Sequence, residues 1–411
     1  MNHTSRDSIL KALDDDLVRL ALRRASVDAV LEASCHALVA AGVPIDEARI
    51  GIRTLHPTID AFGATWAAGA IVDHNMFAHT ESDDEQWRRS PLYHLISSRG
   101  RLLRRRLTGA KVIRDFSVLD DLRADGFADY VVILVPFGED RGRGLEGGMV
   151  LRWLTRHPDG FRDDDVALLD RLADRLGAAV LPGQERVIAR NLLDAYIGPR
   201  SGARVLDGAI QRGDTVTIDA VILFTDLAGF TKASDTVPAD RMVDMLNRHM
   251  DAMVPPVIEH GGEILAFLGD GFLAVFETGD DPSGACRTAL DAAIAIRDGT
   301  TALAGPLMSD GLPSLLADTV LHLGAVRYGN MGAAGRQAFT VIGPAVNEAS
   351  RIEALCSSSG ERILASGVFA ERAQDDRLEP LGARRLRGVS EPVIVHRVVA
   401  PREKRTAAGD G

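Results

Sequence analysis

The feature that most narrows the fold is the stretch HGGEILAFLGDGFLAVFE, His260 to Glu277. Two apolar runs, Glu263–Leu268 and Phe272–Phe276, flank Gly269-Asp270-Gly271. Such runs around a glycine-rich turn form a tight β-hairpin, here with Asp270 at its tip. Upstream, Ala220-Val221-Ile222-Leu223-Phe224 reads as a short buried strand that ends at Asp226, three residues before Gly229. Between them lies a helical span, roughly Ala239 to Glu259. Met242, Met245, Leu246, His249 and Met253 form its apolar stripe, and Pro255-Pro256 is expected to interrupt it. A strand, a helix and a hairpin in that order place the hairpin beside the first strand, with a right-handed crossover where strands run parallel. Asp226 and Asp270 then converge at one edge of the sheet.

A single aspartate beside glycine most often serves a turn or caps a helix. Two of them at matching strand ends suggest more, because adjacent carboxylates repel unless a cation lies between them. Magnesium prefers oxygen ligands and commonly shares them with substrate phosphates. A pair of such ions, about 3.5–4 Å apart, activates an attacking oxygen and stabilises a departing one. The stretch LAGFT adds the backbone N–H groups of Gly229, Phe230 and Thr231 where a helix is expected to begin, a cradle suited to phosphate. A third element is FTVIGPAVNEASRIEAL, Phe339 to Leu355. A helix is expected from about Ala345, with Asn347 and Arg351 four apart on one face. An amide can position a ribose, and a guanidinium can neutralise charge on a transferring phosphoryl group.

Taken together, FTDLAGFT, LGDGFLAVF and VIGPAVNEASR resemble the catalytic signature of the class III adenylate/guanylate cyclases, in the expected order and across residues 218–399. The resemblance implies an α+β protein with a ferredoxin-like βαββαβ core, active as a head-to-tail homodimer with active sites at the dimer interface. It implies that Asp226, Asp270 and the carbonyl of Leu227 bind two metal ions, Mg²⁺ or Mn²⁺, while Asn347 and Arg351 reach the nucleotide from the other protomer. Family members convert a nucleoside triphosphate to its 3′,5′-cyclic monophosphate and pyrophosphate. The family's adenine-selecting lysine falls on Ala266 here, and its usual aspartate partner falls on Thr340. Threonine at the second position resembles a recognised adenylate-cyclase subclass, and the Glu and Cys typical of guanylate cyclases are absent. ATP is therefore the expected substrate. The alternatives are a guanylate or relaxed-specificity cyclase, or an inactive homologue that only binds nucleotide. Arg387, in RLRGVSEPVIV, is the nearest candidate for a further phosphate contact, with a plain surface charge as the competing role. A diguanylate cyclase would share the paired-carboxylate logic, but GGEIL at 261–265 leads into a strand rather than the required turn.

The remainder of the chain bounds the setting. At 411 residues there is room for two or three domains. A net charge of −11 argues against a general nucleic-acid binder, which needs a basic face. Cys35, Cys286 and Cys356 are scattered without metal-ligand spacing, which suggests reduced thiols in a cytoplasm. MNHTSRDSILKALDDD has no apolar leader core and no run is long enough to span a membrane, so a cytoplasmic protein without membrane association is expected.

Residues 1–182 are expected to form a mixed α/β regulatory domain similar in pattern to GAF or PAS sensors, with a small molecule as a candidate ligand. Helical periodicity runs from Ile9 to about Ala41, and strands are expected at 48–55, 129–137 and 147–154. A helix over 163–181 carries Val166, Leu169, Ala173, Leu176 and Val180 at seam-like spacing, fit either for helix pairing or for packing on its own sheet. Trp66, Trp87 and Trp153 are assigned to the core, with the lining of a ligand pocket as the alternative. Pro182-Gly183 is expected to break that helix, with another over 184–197 ending at Gly198-Pro199. The linker spans 183–216, the catalytic domain 217–399 and a disordered tail 400–411. GRGLEG (142–147) mimics a dinucleotide fingerprint but lies between strands, so it is read as a hairpin loop. The basic run RGRLLRRRL (99–107) is read as a solvated helix face balancing nearby acids. His74 and His79 lack the companions a zinc site needs.

Overall fold

The computed structural model describes residues 3–54, 59–78, 85–109, 112–138, 148–386 and 391–399. The chain divides into two compact units, Met1–Ala195 and Tyr196–Gly411. Both mix helix and sheet, so the protein is α+β.

The first unit opens with α1 (His3–Leu22) and α2 (Val27–Ala40), followed by β1 (Glu47–Arg53), β2 (Ile59–Ala67) and β3 (Ala70–Ala78). After α3 (Glu85–Arg88) and α4 (Pro91–Ser97) come β4 (Leu102–Arg106), α5 (Val118–Ala124), β5 (Asp129–Pro136), β6 (Gly148–Thr155) and α6 (Asp163–Ile197). The strands form one antiparallel sheet in the order β3-β2-β1-β6-β5-β4. Ile50, Ile52, Val131, Ile133, Leu151 and Trp153 meet α1, α2 and α6 in one core. Leu95, Leu103, Leu119, Tyr130 and Val132 make a second one. Trp66 and Trp153 are buried, and Trp87 packs edge-on against Tyr93.

Two expectations need correction in this unit. Pro182 lies inside α6, which continues without a break to Ile197. A proline costs one main-chain bond and crowds the preceding turn, but here Val180 and Gln184 on either side are buried. The Gly183 backbone closes on the Ala25 carbonyl, to which an added Cβ would stand at 2.5 Å. Leu169, Ala173, Leu176 and Val180 are core residues of their own unit, which is the second of the two roles their spacing allows. The basic run is strand β4, not a helix. The strand's arginines meet acids from elsewhere in the chain: Arg104 pairs with Asp129 and Asp163, Arg105 with Asp115, and Arg106 with Asp129. His74 meets Asp28 at 2.9 Å. GRGLEG, His79 and the tail lie outside the described residues.

The second unit starts with α7 (Pro199–Leu206), then β7 (Thr215–Leu227), α8 (Phe230–Ser234), α9 (Ala239–Glu259), β8 (Glu263–Leu268), β9 (Gly271–Glu277) and α10 (Pro282–Ala302). It continues through α11 (Ala304–Ser309), β10 (Ala317–Ala333), β11 (Arg336–Ile342), α12 (Pro344–Glu353), α13 (Cys356–Ser359) and β12 (Ile363–Ser366). It closes with α14 (Gly367–Ala373), β13 (Leu378–Arg384) and β14 (Val393–Val398). The sheet order is β13-β14-β12-β10-β7-β9-β8, with β11 paired to β10. At its centre the path β7-α9-β8-β9-α10-β10 is a βαββαβ unit, and its neighbouring strands are all antiparallel. The hairpin therefore lies beside β7, with β9 as the direct neighbour.

Strand alternation divides β7 between two cores. Val221 and Leu223 face α9 and α10, with Met245, Met253, Ala289 and Ile296. Ala220 and Ile222 face α12, with Ala345, Ala349 and Ile352. The first strand is longer than the apolar run alone indicates, and α7 lies within the expected linker, 183–216. Pro255 and Pro256 sit inside α9 and do not interrupt it. They fall in its last two turns, where Val257 is fully buried and holds the segment on the sheet.

Candidate active site

The main chain brings the two aspartates together. Asp226 is the penultimate residue of β7, and Asp270 occupies the turn between β8 and β9. The register Thr225↔Phe272 carries that turn to the end of β7. Gly271 makes the approach close enough: a Cβ there would stand 1.9 Å from the Thr225 oxygen and 2.8 Å from the Asp226 Cα. No other residue fits without separating the strands.

The side chains of Asp226 and Asp270 lie within hydrogen-bonding reach of each other. The Leu227 N–H donates to Asp270 Oδ2 at 3.3 Å. Burial first, then the hydrogen bond and charge of Asp270, then the charge of Glu353, push the Asp226 carboxyl up to about 7. One proton is thus shared by a pair that would otherwise carry two negative charges. A divalent cation relieves the same repulsion, so the donor set fits a hard, oxygen-seeking ion. Among the described residues no group of three or more His, Cys, Asp or Glu side chains is arranged to hold a metal. Magnesium commonly takes only one or two protein carboxylates, completing its shell with water and substrate phosphate.

Two further acids belong to this neighbourhood. Asp318, at the start of β10, stands directly across from Asp226 in the antiparallel register. It is 5% exposed and pairs with Arg362 at 2.5 Å. Burial raises its carboxyl and Arg362 lowers it. Glu353 ends α12, and burial with the charges of Asp318 and Asp270 raises its carboxyl as well. Sequence reading missed both. Asp318 carried a usable signal, since it opens the apolar run DTVLHLG just as Asp226 ends one, and antiparallel pairing sets a strand's start against its neighbour's end. Glu353 carried none beyond its distance of two residues from Arg351.

The other expected residues fall as follows. Gly229 precedes α8, and Phe230 and Thr231 open it. Asn347 and Arg351 are on α12, on a different side from Ala345, Ala349 and Ile352, which pack on the sheet. Asn347 is exposed and Arg351 half-buried. Ala266 lies on β8 opposite Leu273, just past a bulge at Leu265, and Thr340 lies on β11 opposite Gly329. Arg387 lies outside the described residues.

Residues 210–377 match the family model for the adenylate and guanylate cyclase catalytic domain. Adenylate cyclase 1 of Rhizobium meliloti is 29% identical over 182 residues, covering 44% of this chain and 27% of that protein. An adenylate cyclase of Anabaena cylindrica is 34% identical over 159 residues, 38% of this chain and 31% of its own. The crystal structure of the adenylyl cyclase CyaB from P. aeruginosa aligns with 46% of this chain and 97% of its own, at 29% identity and a TM-score of 0.42. The chain spans less than half the length of these curated relatives. Residues 210–377 thus carry a class III adenylate/guanylate cyclase catalytic domain. No helix among the described residues is long and apolar enough to cross a membrane.

Proposed function

We propose that the protein is an adenylate cyclase that converts ATP to 3′,5′-cyclic AMP and pyrophosphate on a ferredoxin-like cyclase core. The observation that carries this reading is the contact between Asp226 and Asp270, which leaves Asp226 holding a proton up to about pH 7 within a cyclase-type domain. Asp226, Asp270 and the Leu227 carbonyl are the groups that would hold Mg²⁺ or Mn²⁺. Bound there, a divalent pair supplies acidification of the ribose 3′-hydroxyl and charge neutralisation at the phosphates. The main-chain N–H groups of Gly229, Phe230 and Thr231 offer donors to the phosphate chain. Asn347 orients the ribose so that its 3′-oxygen lies in line with the α-phosphorus. The 3′-hydroxyl gives up its proton to water, the new bond joins its oxygen to the α-phosphorus, and the bond to the bridging oxygen breaks with release of pyrophosphate. Arg351 neutralises charge on the phosphoryl group during that exchange. In this reading Asn347 and Arg351 serve the site of a second copy, so the active species is a homodimer. Residues 1–182 act as a GAF- or PAS-like sensor of a small molecule, and the protein works in the cytoplasm.

The test offers ATP and GTP separately to purified full-length protein with Mg²⁺ or Mn²⁺ and identifies products by chromatography. Cyclic AMP is expected from ATP, and Asp270→Ala abolishes it. Full activity in that variant overturns the metal assignment. Ala266 favours a second reading, since a methyl group cannot donate to a base nitrogen: a cyclase-type domain of relaxed base choice, or one that binds nucleotide without turnover. Equal turnover of ATP and GTP, or binding without product under either metal, selects it.

A further inference from the structure

Glu263, the first residue of β8, is only 4% exposed, yet it sits on no route that the proposed chemistry uses. A carboxylate removed from water is costly unless donors surround it. Here three do. The Ser201 N–H donates to Glu263 Oε1 at 2.8 Å, the Ser201 hydroxyl to the same oxygen at 3.0 Å, and the Tyr328 hydroxyl to Oε2 at 2.8 Å. The two hydroxyls lie 3.0 Å apart, so both sit side by side against the carboxylate, each with its one hydrogen directed to it. Ser201 is fully buried and Tyr328 is 6% exposed. Gly198, at φ +90°, seals the remaining side: a Cβ there would stand 2.8 Å from Oε1, in a conformation that side-chain-bearing residues rarely adopt.

These hydrogen bonds tie three elements that do not otherwise share a hydrogen-bond ladder. Ser201 belongs to α7, Glu263 to β8 and Tyr328 to β10. The Tyr328 ring meets Phe339 of β11 edge-on, with centroids 4.9 Å apart, and the Arg204 guanidinium of α7 lies 5.5 Å from the Tyr328 centroid. Phe339 is next to Thr340, and Glu263 is three residues before Ala266. The bulge at Leu265 falls between Glu263 and Ala266, so β8 has lost ladder pairing at the point where its position matters. A buried polar cluster is well suited to restore what the ladder does not fix, because each member must keep its partners.

We propose that Glu263 is a positioning residue for base selection: gripped by Ser201 and Tyr328, it fixes the spacing of β8 and β11 and thereby of Ala266 and Thr340. The inference rests on the cyclase reading for its substrate, and it places α7 among the elements that set nucleotide preference. Neither Ala266 nor Thr340 carries a charged group that could enforce a choice alone, so the distance between their strands matters more than their own chemistry.

The experiment compares Tyr328→Phe, Ser201→Ala and Glu263→Gln in the full-length chain. Tyr328→Phe keeps the ring on Phe339 and removes only the hydroxyl, so it guards against loss of folding, which circular dichroism and Tm report. Two readouts are taken: KM and kcat for ATP and for GTP, and the affinities of the fluorescent analogues mant-ATP and mant-GTP. The expected result is a change of about fivefold or more in the ATP-to-GTP ratio, carried in KM and in mant-nucleotide affinity rather than in kcat. A residue that merely supports the fold lowers Tm and depresses both nucleotides together. An unchanged ratio in both Tyr328→Phe and Glu263→Gln, with folded protein, overturns the inference. If wild type makes no cyclic product, the cyclase reading fails, while the mant-ATP to mant-GTP ratio still decides the role of Glu263.

Discussion

Replacing Gly271 with alanine puts a methyl carbon 1.9 Å from the Thr225 oxygen and 2.8 Å from the Asp226 Cα, where ordinary contact begins at 3.4 Å. Backbone on both sides leaves no flexible side chain to yield, so the start of β9 must move from the end of β7 by about 1.5 Å. Overpacking of this kind costs about 1–3 kcal/mol. For a unit of this size the cost corresponds to a Tm lowered by roughly 2–12 °C. The same movement carries Asp270 away from Asp226. A displacement near 1 Å at a reacting centre can cost about 10²-fold in rate. Gly271→Ala is therefore expected to retain its fold, melt earlier by differential scanning fluorimetry, and lose about two orders of magnitude in cyclic-nucleotide formation. Wild-type turnover together with a wild-type Tm would show that the Asp226–Asp270 approach does not depend on this contact, and the reasoning that joins the two aspartates would fail.

Asp226 keeps its proton to about pH 7 in the metal-free protein, whereas an unfolded aspartate releases it near 3.8. Its contribution to stability thus falls as pH rises between those values and is constant outside them. Because a cation must displace that proton, Mn²⁺ affinity by isothermal titration calorimetry should rise about tenfold per pH unit up to about 7, then level off; a flat profile from about pH 5 to 8 contradicts the placement. Glu353→Gln removes one charge that raises Asp226 and should shift that break to lower pH, an effect absent if Glu353 acts only on the fold. Mixing inactive Asp270→Ala and Arg351→Ala proteins should recover about a quarter of wild-type activity if each site draws on two copies, and none if it draws on one.

The second unit was the more legible because its candidate site lies where local patterns change. The hairpin around Asp270 and the strand ending near Asp226 follow from glycine placement and apolar runs, and the register then joins them. What stayed hidden depends on partners distant in sequence. Leu102–Arg106 has no β-branched residue and looks helical until Asp129 and Asp163, brought in by the fold, take up Arg104. The proline rule failed at Pro182 and at Pro255-Pro256, where buried neighbours hold the helices despite the lost bonds. Asp318 becomes a neighbour of Asp226 only once β10 is known to pair with β7.

The two-sided burial of β7 leaves little freedom to edit the chain there. One residue added between Ala220 and Asp226 would turn the strand over and present Thr225 where the carboxylate stood, one removed would present Leu227 there, and either would drive Asp226 toward the α9–α10 side. The stretch from Asp207 to Asp214, before the strand begins, has no such parity to keep. Length variants in that segment should survive with Asp226 in place, whereas a single-residue change inside the strand should remove it from Asp270.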